Sequence, residues 1–379
     1  MKILLIGEYS RLHNSLKEGL ESLNHEVTIV GTGDKFKNFP VDVSISPKII
    51  SSNSVFQFIN KISIRLFGIN LESIEKGIRF YFLLPQLQNY DVVQLINSNA
   101  IETFPRWSMY LLGKVFSRNR KIFLLVCGEE TPIIDVLLKN NLKYSILTPY
   151  FNNPKLKKQY IYSLKYVSKS YKKLYEFVAT HSNGIIVSDL DYKIPMLQTN
   201  TDFTFIPNPI NVDTIRFSPN AIHDKIVVFH GVNKYSSIKK GNSFFEKALL
   251  KIKEKYPTKV KVITANSLPY NEYQKTYNEA HIVLDQVYSF DQGYNALEAM
   301  ARGKVVFTGV ETVFTEHYNL SEKVAINALP DVDYIVNELS YLIENPEEII
   351  AIGNRARIFI EQEHHYIAIA NKYLEFWNK

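Results

Sequence analysis

The fold is decided by two apolar stretches near the N-terminus, KILLIG (residues 2–7) and EVTIVG (residues 26–31). The first stretch is uninterrupted and ends in Gly7, which is typical of a parallel strand covered on both faces. Four leucines between the two stretches have the spacing of one helix face: Leu12, Leu16, Leu20 and Leu23. A strand, a helix and a second strand form a βαβ unit, which predicts a doubly wound parallel sheet.

The same alternation of strands and helices continues and then begins again in the second half of the chain. Further strands are predicted at residues 90–96, 121–126, 184–188, 225–231, 260–263, 281–284 and 304–309. Helices are predicted at residues 102–117, 244–252 and 294–302. This α/β pattern predicts two Rossmann-like domains that face each other across a cleft, and such sheets bind ligands beyond the carboxyl ends of their strands.

The domain boundary is predicted at FIPNPI (residues 205–210). The two prolines on either side of Asn208 remove backbone donors and favour an extended connector. The predicted domains are therefore residues 1–205 and residues 206–358. A final helix, residues 359–379, is predicted to cross back onto the first domain.

Composition excludes several classes of protein. The chain has 379 residues, 46% hydrophobic and 22% charged, as expected for a globular protein of two domains. The single cysteine, Cys127, excludes a disulfide framework and favours a reducing compartment. The net charge of +6 permits an anionic partner without indicating nucleic acid. No apolar run reaches ~18 residues, so no membrane-crossing helix is expected and a cytoplasmic location is predicted.

Four stretches, in order along the chain, resemble the motifs of one family. They are IPNPINVD with a later Phe (residues 206–217), Lys240-Gly241, GYNALEAMARGKVV (residues 293–306), and NPEE with the residues that follow it (residues 345–374). Together they resemble the retaining glycosyltransferase family numbered four ("glycosyl transferases group 1"), which has the GT-B fold.

The resemblance implies a hexosyltransferase-type enzyme that uses a nucleotide diphosphate sugar. The donor would bind the C-terminal domain, and a glycan or lipid-linked acceptor would bind the N-terminal domain. Transfer would retain the anomeric configuration. No cofactor beyond the donor substrate and no metal is expected, because helix N–H groups and lysines can neutralise a diphosphate.

A donor site is also expected from the start of the helix at Gly293, Tyr294 and Asn295. The first turn of a helix presents unpaired N–H groups and the positive end of the helix dipole, and Gly293 lets a diphosphate approach the backbone. Glu298 lies about one turn further, and the resemblance assigns it the ribose hydroxyls. The alternative is that Glu298 caps its own helix or pairs with Arg302.

Lys240 and Lys234 are the cations predicted to face the leaving diphosphate. The family usually has Arg directly after the Gly that ends this strand, whereas Val232 follows Gly231 here. Lysine supplies a point charge without the two-pronged geometry of arginine. The alternative is that both lysines are solvated loop residues.

This sequence departs from the family pattern in both domains. Where the family often has a first Glu, this chain has Phe290, and the neighbouring Asp291 is the candidate to reach the donor sugar. Where the family often has His, it has Cys127, followed by Glu129 and Glu130 as candidates for contact with sugar or acceptor hydroxyls. The alternative for this acidic pair is the start of a helix, where acids suit the dipole. In the first loop of the N-terminal domain, the glycine-rich motif is reduced to Gly7.

Two other segments could form a membrane-binding surface, although a simpler structural role is also possible. Residues 154–177 interleave seven lysines with tyrosines, which indicates either a surface against anionic lipid at the inner face of the cell membrane or a solvated helix. Residues 53–70 are amphipathic and are candidates for the same surface. His364 and His365 diverge by about 100° on a helix and are interpreted as surface residues, not as a metal pair.

Two rival functions remain open at this stage. One is a GT-B protein that binds a nucleotide or glycan without turnover, which the absent Glu and His favour. The other is a nucleotide-sugar 2-epimerase, which needs acids and histidines converging on the sugar.

Overall fold

The computed structural model describes residues 1–34, 37–266 and 277–379. In these residues the chain forms two parallel sheets, each with helices packed against it. The first sheet belongs to the N-terminal part of the chain and the second to the C-terminal part, with the connector at residues 206–210 between them.

The N-terminal sheet has seven parallel strands in the order β3-β2-β1-β4-β5-β6-β7. The strands are β1 (Lys2–Ile6), β2 (Glu26–Gly31), β3 (Val43–Ser44), β4 (Val92–Leu95), β5 (Lys121–Val126), β6 (Gly184–Val187) and β7 (Thr204–Phe205). The helices are α1 (Leu12–Ser22), α2 (Lys48–Ser52), α3 (Ser54–Phe67), α4 (Leu71–Leu83), α5 (Pro105–Phe116), α6 (Thr131–Leu137), α7 (Thr148–Asn152), α8 (Ile161–Leu164), α9 (Lys169–His181) and α10 (Leu190–Met196).

The C-terminal sheet has five parallel strands in the order β12-β11-β10-β8-β9. The strands are β8 (Ile226–Val232), β9 (Val260–Asn266), β10 (Ile282–Leu284), β11 (Val305–Thr308) and β12 (Ile326–Asn327). The helices are α11 (Ser237–Lys240), α12 (Asn242–Lys255), α13 (Tyr294–Ala301), α14 (Thr312–His317), α15 (Val332–Glu344), α16 (Pro346–Glu363) and α17 (Tyr366–Asn378).

The strands predicted from apolar runs are all present, within two or three residues of their predicted ends. Central strands are buried. In β1, the residues Ile3, Leu4, Leu5 and Ile6 are fully buried, as expected for a strand with neighbours on both sides and helices on both faces. The sequence did not reveal β3, β7 and β12. Each has two residues, which is too short to show a periodicity.

The chain passes between the domains twice, and the two passages are hydrogen-bonded to each other. The amide of Ile210 in the connector donates to the carbonyl of His364 at 2.7 Å, and the amide of Tyr366 donates to the carbonyl of Ile210 at 3.1 Å. The C-terminal helical segment is broken at residues 364–365, so the helix that crosses back begins at Tyr366.

The interpretation of His364 as a surface residue is wrong. Its side chain is 3% exposed, and its Nδ1 lies 2.8 Å from the carbonyl oxygen of Asn208. Burial lowers the pKa of His364 to about 4, so the ring is neutral at pH 7 and Nδ1 donates this hydrogen bond. The error arose because one continuous helix was assumed across residues 359–379.

Helix α17 packs on the N-terminal domain, chiefly against α1. Trp377 is fully buried there, with its ring 5.5 Å from that of Tyr373 and 6.2 Å from that of Phe123. Lys121 donates to the Trp377 carbonyl at 2.7 Å. The end of the chain thus packs against the first domain.

The lysine-rich segment, residues 154–177, is not one helix. It consists of a 3-10 turn (Pro154–Tyr160), α8, a second 3-10 turn (Lys165–Val167) and the start of α9. Tyr160, Tyr166 and Tyr175 are buried in the domain, whereas most of the lysines are exposed. This arrangement agrees with the simpler interpretation, in which the tyrosines cover the domain and the lysines are solvated.

Truncation of Trp377 tests the contribution of the returning helix. We expect Trp377→Ala to lower the free energy of unfolding by about 3–5 kcal/mol, because it leaves a large cavity between α17 and β5. Urea denaturation measures this loss. Glu375→Ala, at an exposed position of the same helix, is the control and should change stability by less than about 0.5 kcal/mol. Equal effects of the two substitutions would contradict the packing role.

Candidate functional site

A cavity of about 390 Å³ lies between the domains, at the carboxyl ends of β5, β6, β8 and β10. Its N-terminal wall includes Ser10, Gly128, Glu129, Tyr144, Asp189 and Asp191. Its C-terminal wall includes Lys239, Lys240, Gln286, Phe290 and Gly293. Parallel sheets bind ligands at this edge, so the cavity is the candidate functional site.

Helix α13 begins at the cavity, as predicted. Gly293 is its N-cap residue, lines the cavity and has an extended backbone with φ of −71°. No side chain caps this first turn. A Cβ at Gly293 would lie 3.8 Å from Oδ2 of Asp285, so the backbone here is close to an ionised network yet open enough for an anion to approach.

Tyr294 and Glu298 lie behind this opening and do not line the cavity. The Tyr294 hydroxyl donates to the carbonyl of Pro209 at 2.7 Å and lies 2.5 Å from the hydroxyl of Ser15, which belongs to α1. Glu298 is 2% exposed, and the pKa of Tyr294 is raised by burial and then by the charge of Glu298. The backbone of Tyr294 starts the helix, while its side chain fastens α13 to the N-terminal domain.

Lys240 is held at the cavity by Asp285. Its ammonium lies 2.6 Å from Oδ1 of Asp285, whose side chain is 5% exposed, and the Lys240 side chain is 24% exposed. Gly241 follows with φ of +68°, and a Cβ there would come within 2.3 Å of Val287. Only glycine fits that turn without strain, which explains the Lys-Gly pair seen in the sequence.

The other predicted C-terminal cation is placed elsewhere. Lys234 is exposed and does not line the cavity. Gly231 lies inside β8, opposite Ala265 of β9, and also stands outside the cavity lining. The second cation at the cavity is instead Lys239, which forms an ion pair with Glu129 across the cleft. Sequence reasoning passed over Lys239, although its position beside Lys240 was the available signal.

The two candidate acids at the end of β5 have different roles. Glu130 is fully buried and accepts from the amides of Ser98 at 2.7 Å and Thr131 at 2.8 Å, so it caps α6. Glu129 lines the cavity and pairs with Lys239. The helix-start alternative therefore describes Glu130, and Glu129 remains the candidate for contact with a ligand.

Asp291 stands at the domain contact and not in the cavity lining. Its Oδ2 accepts from the amide of Leu190 at 2.9 Å, while Oδ1 of Asp191 accepts from the amide of Phe290 at 2.7 Å. Each domain thus supplies one carboxylate to a backbone N–H group of the other. Burial raises the pKa of Asp191 to about 7 and that of Asp291 to about 6.

Sequence reasoning missed two acids that line the cavity, Asp189 and Asp191. Asp189 is 5% exposed, and burial, followed by the charge of Asp291, raises its pKa. The signal was available, because both acids closely follow β6 and the carboxyl ends of parallel strands form the ligand edge.

Phe290, at the position where the resembled family has Glu, forms an apolar wall of the cavity. Its ring stacks on that of Tyr144 from the other domain, with centroids 5.2 Å apart and planes at 28°. The Tyr144 hydroxyl donates to Glu311. The position therefore contributes an aromatic contact between the domains in place of a carboxylate.

Gly7 is packed against the core of the first domain. It has φ of +88°, and a Cβ there would lie 2.3 Å from Cγ2 of Ile96. The residue after it, Glu8, is buried and accepts from the amide and the side chain of Asn14 at 2.8 and 2.6 Å. Gly7 thus permits a tight turn and stands outside the cavity lining.

Among the residues that the structure describes, no three His, Cys, Asp or Glu side chains are grouped to hold a metal ion. Within the same residues, no helix combines the length and the apolar character needed to cross a bilayer.

Comparison with known proteins agrees with the fold. Residues 230–375 match the family model described as "Glycosyl transferase-like". This match covers most of the second sheet, Lys240 and helix α13. Among curated proteins, none matches the chain significantly.

Solved structures similar to this chain share its GT-B architecture at low sequence identity. TarM is 12% identical with a TM-score of 0.62, covering 100% of this chain and 98% of that one. A mutant of TarM from S. aureus, in complex with fondaparinux, alpha-GlcNAc-glycerol and UDP, is 13% identical with a TM-score of 0.56. That alignment covers 80% of this chain, which spans only 59% of the mutant chain.

Two further structures extend the comparison. HepE from Anabaena in complex with UDP-glucose is 12% identical with a TM-score of 0.59, covering 100% of this chain and 99% of that one. A putative UDP-N-acetylglucosamine 2-epimerase from Listeria monocytogenes is 10% identical with a TM-score of 0.55, covering 98% and 94%. The fold is therefore that of GT-B glycosyltransferases such as HepE and TarM: two parallel sheets with a cleft between them.

The raised pKa of Asp191 gives a pH prediction. Because the folded state keeps a proton that the unfolded state releases at pH about 4, the contribution of this carboxyl group to stability is lost as pH rises from about 4 to about 7. We expect the stability of the wild type relative to Asp191→Asn to fall between pH ~5 and pH ~8. Urea unfolding at both pH values measures this difference.

The informative quantity is the difference in unfolding free energy between the wild type and Asp191→Asn. This difference is needed because buried histidines also change the pH dependence of stability in this pH range. Asp224→Asn, at an exposed position of the second domain, is the matched control and should show the same pH dependence as the wild type. A wild-type advantage over Asp191→Asn that grows with pH would contradict the raised pKa.

Proposed function

We propose that the chain is a glycosyltransferase that moves a hexosyl group from a nucleotide diphosphate sugar to a glycan or lipid-linked acceptor, with retention of the anomeric configuration. The observation that carries the proposal is the meeting of Gly293 and Lys240 at one cavity, inside the segment that matches a glycosyl transferase-like model.

The donor diphosphate would lie against the first turn of α13 with Lys240 beside it. Asp285 holds Lys240 in this place, because its Oδ1 contacts the Lys240 ammonium. Its Oδ2 lies near Gly293, so the Lys240 ammonium would also offset the repulsion between this carboxylate and the diphosphate. The helix N–H groups and the ammonium would stabilise the negative charge that develops on the leaving diphosphate. With these groups in place, the transfer needs no metal in this proposal.

UDP is the nucleotide that we propose. HepE was solved with UDP-glucose and the TarM mutant with UDP, and both share this fold. Glu298, buried beneath the first turn of α13, would accept the ribose hydroxyls, as the resemblance to the retaining family implies. Reaching Glu298 would require the nucleoside to pass behind Gly293, because Glu298 does not line the cavity.

The acceptor would enter from the N-terminal wall, where Glu129, Asp189 and Asp191 line the cavity. Carboxylates accept hydrogen bonds from sugar hydroxyls, so this wall suits a glycan. We place the enzyme in the cytoplasm, working on an acceptor at the inner face of the cell membrane.

A binding protein without turnover is the second candidate, and Phe290 is the observation that favours it. An aromatic ring cannot replace the hydrogen bonds of the carboxylate that the resembled family has there. Incubation with UDP-glucose, UDP-N-acetylglucosamine and UDP-galactose, with release of UDP as the readout, separates the candidates. Release of UDP supports the enzyme, saturable binding without release supports the binding protein, and a new free sugar nucleotide indicates an epimerase.

Removal of the Lys240 charge tests the donor site. We expect Lys240→Ala to weaken UDP binding by about tenfold to a hundredfold, since a hydrogen bond to a charged group contributes about 1.5–3 kcal/mol. The measurement is the thermal shift caused by UDP, taken relative to each protein alone so that any stability change of the variant cancels. GDP, ADP and CMP identify the base preference, and UMP is expected to bind less well than UDP.

Lys247→Ala, at an exposed position of α12, is the control for the loss of one charge from the same domain. It should bind UDP as the wild type does. No thermal shift with any nucleoside diphosphate in the wild type would refute the donor site as proposed.

Substitution of Glu298 tests the ribose contact separately. We expect Glu298→Gln to weaken UDP binding by about tenfold, because an amide provides one acceptor oxygen where the carboxylate provides two. Isothermal titration with UDP and with inorganic pyrophosphate distinguishes the roles: pyrophosphate binding should be unchanged. Equal losses for both ligands would mean that Glu298 only supports the helix.

A further inference from the structure

Helix α3 lies on the outside of the N-terminal domain with most of its surface exposed. Asn60 is the one buried residue among its fourteen, and its side chain accepts from the amide of Leu71 at 2.8 Å at the start of α4. On its inner side the helix contacts α2 and α4. Twelve of its fourteen residues are nevertheless exposed.

The exposed surface of α3 is apolar. Five large side chains recur at helical spacing on the side opposite Asn60, with exposed fractions of 39–67%: Val55, Phe58, Ile59, Ile62 and Leu66. Two more large apolar side chains are exposed close to it in the chain, Phe67 at the end of α3 and Phe82 on α4, each at 72%. Soluble domains rarely leave a continuous apolar surface of this kind without a partner.

Positive charge borders this apolar stripe. Lys61 and Arg65 are exposed, lie one turn apart, and fall on one edge of the stripe. The whole stretch of residues 43–71 contains these two cations and Lys48 but no acidic residue. An apolar face edged by lysine and arginine is the pattern of a helix that lies in the interface of an anionic membrane.

The neighbouring helices extend the charge. Helix α4 packs against α5, and α5 packs against α9, so these helices form one layer with α3 at its margin. Exposed cations on α5 and α9 are Arg106, Lys114, Lys169 and Lys173, with Glu176 as an exposed acid. The layer that carries α3 therefore has an excess of positive charge.

We propose that α3 is a membrane-docking helix whose occupant is the surface of a bilayer with anionic lipid headgroups. This proposal rests on the proposed function, because it brings the cavity to a lipid-linked acceptor. Fourteen residues span about 21 Å, which is shorter than the hydrocarbon core, so the helix lies in the plane of the interface with its stripe in the acyl boundary.

A second copy of the chain fits this surface less well. Two α3 helices packed about a twofold axis would bring Lys61 and Arg65 of both copies together, and residues 43–71 offer no acid to pair with them. The lysine-rich segment 154–177 is also a weaker candidate. Its tyrosines at 160, 166 and 175 are buried, and its exposed large apolar side chains are two, Ile161 and Tyr162, against five in the stripe of α3.

Vesicle binding of the full chain tests the proposal. The probes are vesicles of phosphatidylcholine alone and of phosphatidylcholine mixed with phosphatidylglycerol, in a co-sedimentation assay. We expect Phe58→Ser with Ile62→Ser and Leu66→Ser to weaken binding to the mixed vesicles by about tenfold or more. Lys61→Gln with Arg65→Gln should weaken it by about tenfold and abolish the preference for phosphatidylglycerol.

The matched control removes equally exposed apolar side chains from the second domain. Leu250→Ser with Tyr341→Ser and Ile358→Ser, at positions 62%, 49% and 51% exposed, should bind the vesicles as the wild type does. The added tryptophan fluorescence of Phe58→Trp should be quenched by brominated lipids, whereas that of Leu250→Trp should not. Circular dichroism of each variant verifies that it is folded.

Three outcomes would overturn the proposal. One is unchanged vesicle binding in the α3 serine variant. Another is loss of binding only in Lys155→Glu with Lys157→Glu and Lys158→Glu, which would assign the contact to the lysine-rich segment. The third is self-association by light scattering that the α3 variant abolishes, without vesicle binding by the wild type. The UDP-induced thermal shift should be intact in the α3 variant, so failure of docking and failure of the donor site are distinguishable.

Discussion

The arrangement of the domains depends on the hydrogen bonds between the two passages of the chain. Ile210 on the outward passage exchanges hydrogen bonds with His364 and Tyr366 on the return passage. One extended connector is a hinge, because rotation about its bonds costs little. Two connectors that are hydrogen-bonded to each other have much less freedom to rotate. The buried ring of His364 adds a further hydrogen bond between the two connectors, to the carbonyl of Asn208. The carboxyl ends of the two sheets consequently face each other, and the cavity exists only because they do.

Each of the two lysines that line the cavity has an acidic partner. Lys240 is held by Asp285 within its own domain, and Lys239 by Glu129 across the cleft. A buried or half-buried charge without a partner is costly, so each cation needs an acid in the protein itself. The two ion pairs have different effects. The pair of Lys240 and Asp285 fixes an ammonium beside the start of α13, whereas the pair of Lys239 and Glu129 links the two walls of the cleft. A ligand that takes Lys239 from Glu129 would also loosen the contact between the domains.

At the cleft, the aromatic ring of Phe290 takes the position where the resembled family often has a glutamate. Phe290 stacks on Tyr144, and the Tyr144 hydroxyl in turn reaches Glu311. Burial raises the pKa of Tyr144, so its hydroxyl remains a donor to that carboxylate at physiological pH. These stacked rings join the two domains at the cavity. It also makes one wall of the cavity apolar, which favours a ligand with an apolar face over one that is polar all round.

The sequence by itself determined the elements and their class. Continuous apolar runs and helical spacing predict the buried strands and amphipathic helices, because burial on one or two faces imposes those periods on the residues. The start of α13 at Gly293 and the Lys-Gly turn were likewise readable, since they depend on local backbone geometry. Tertiary structure alone decided which side chains meet. It brought Tyr294 to Ser15 of the first domain and Asp291 to a backbone amide of α10. It also buried His364 and brought Lys239 to Glu129. Those contacts join residues 101 to 279 positions apart in the chain. No local pattern encodes them, because the packing of whole domains sets the direction of each side chain.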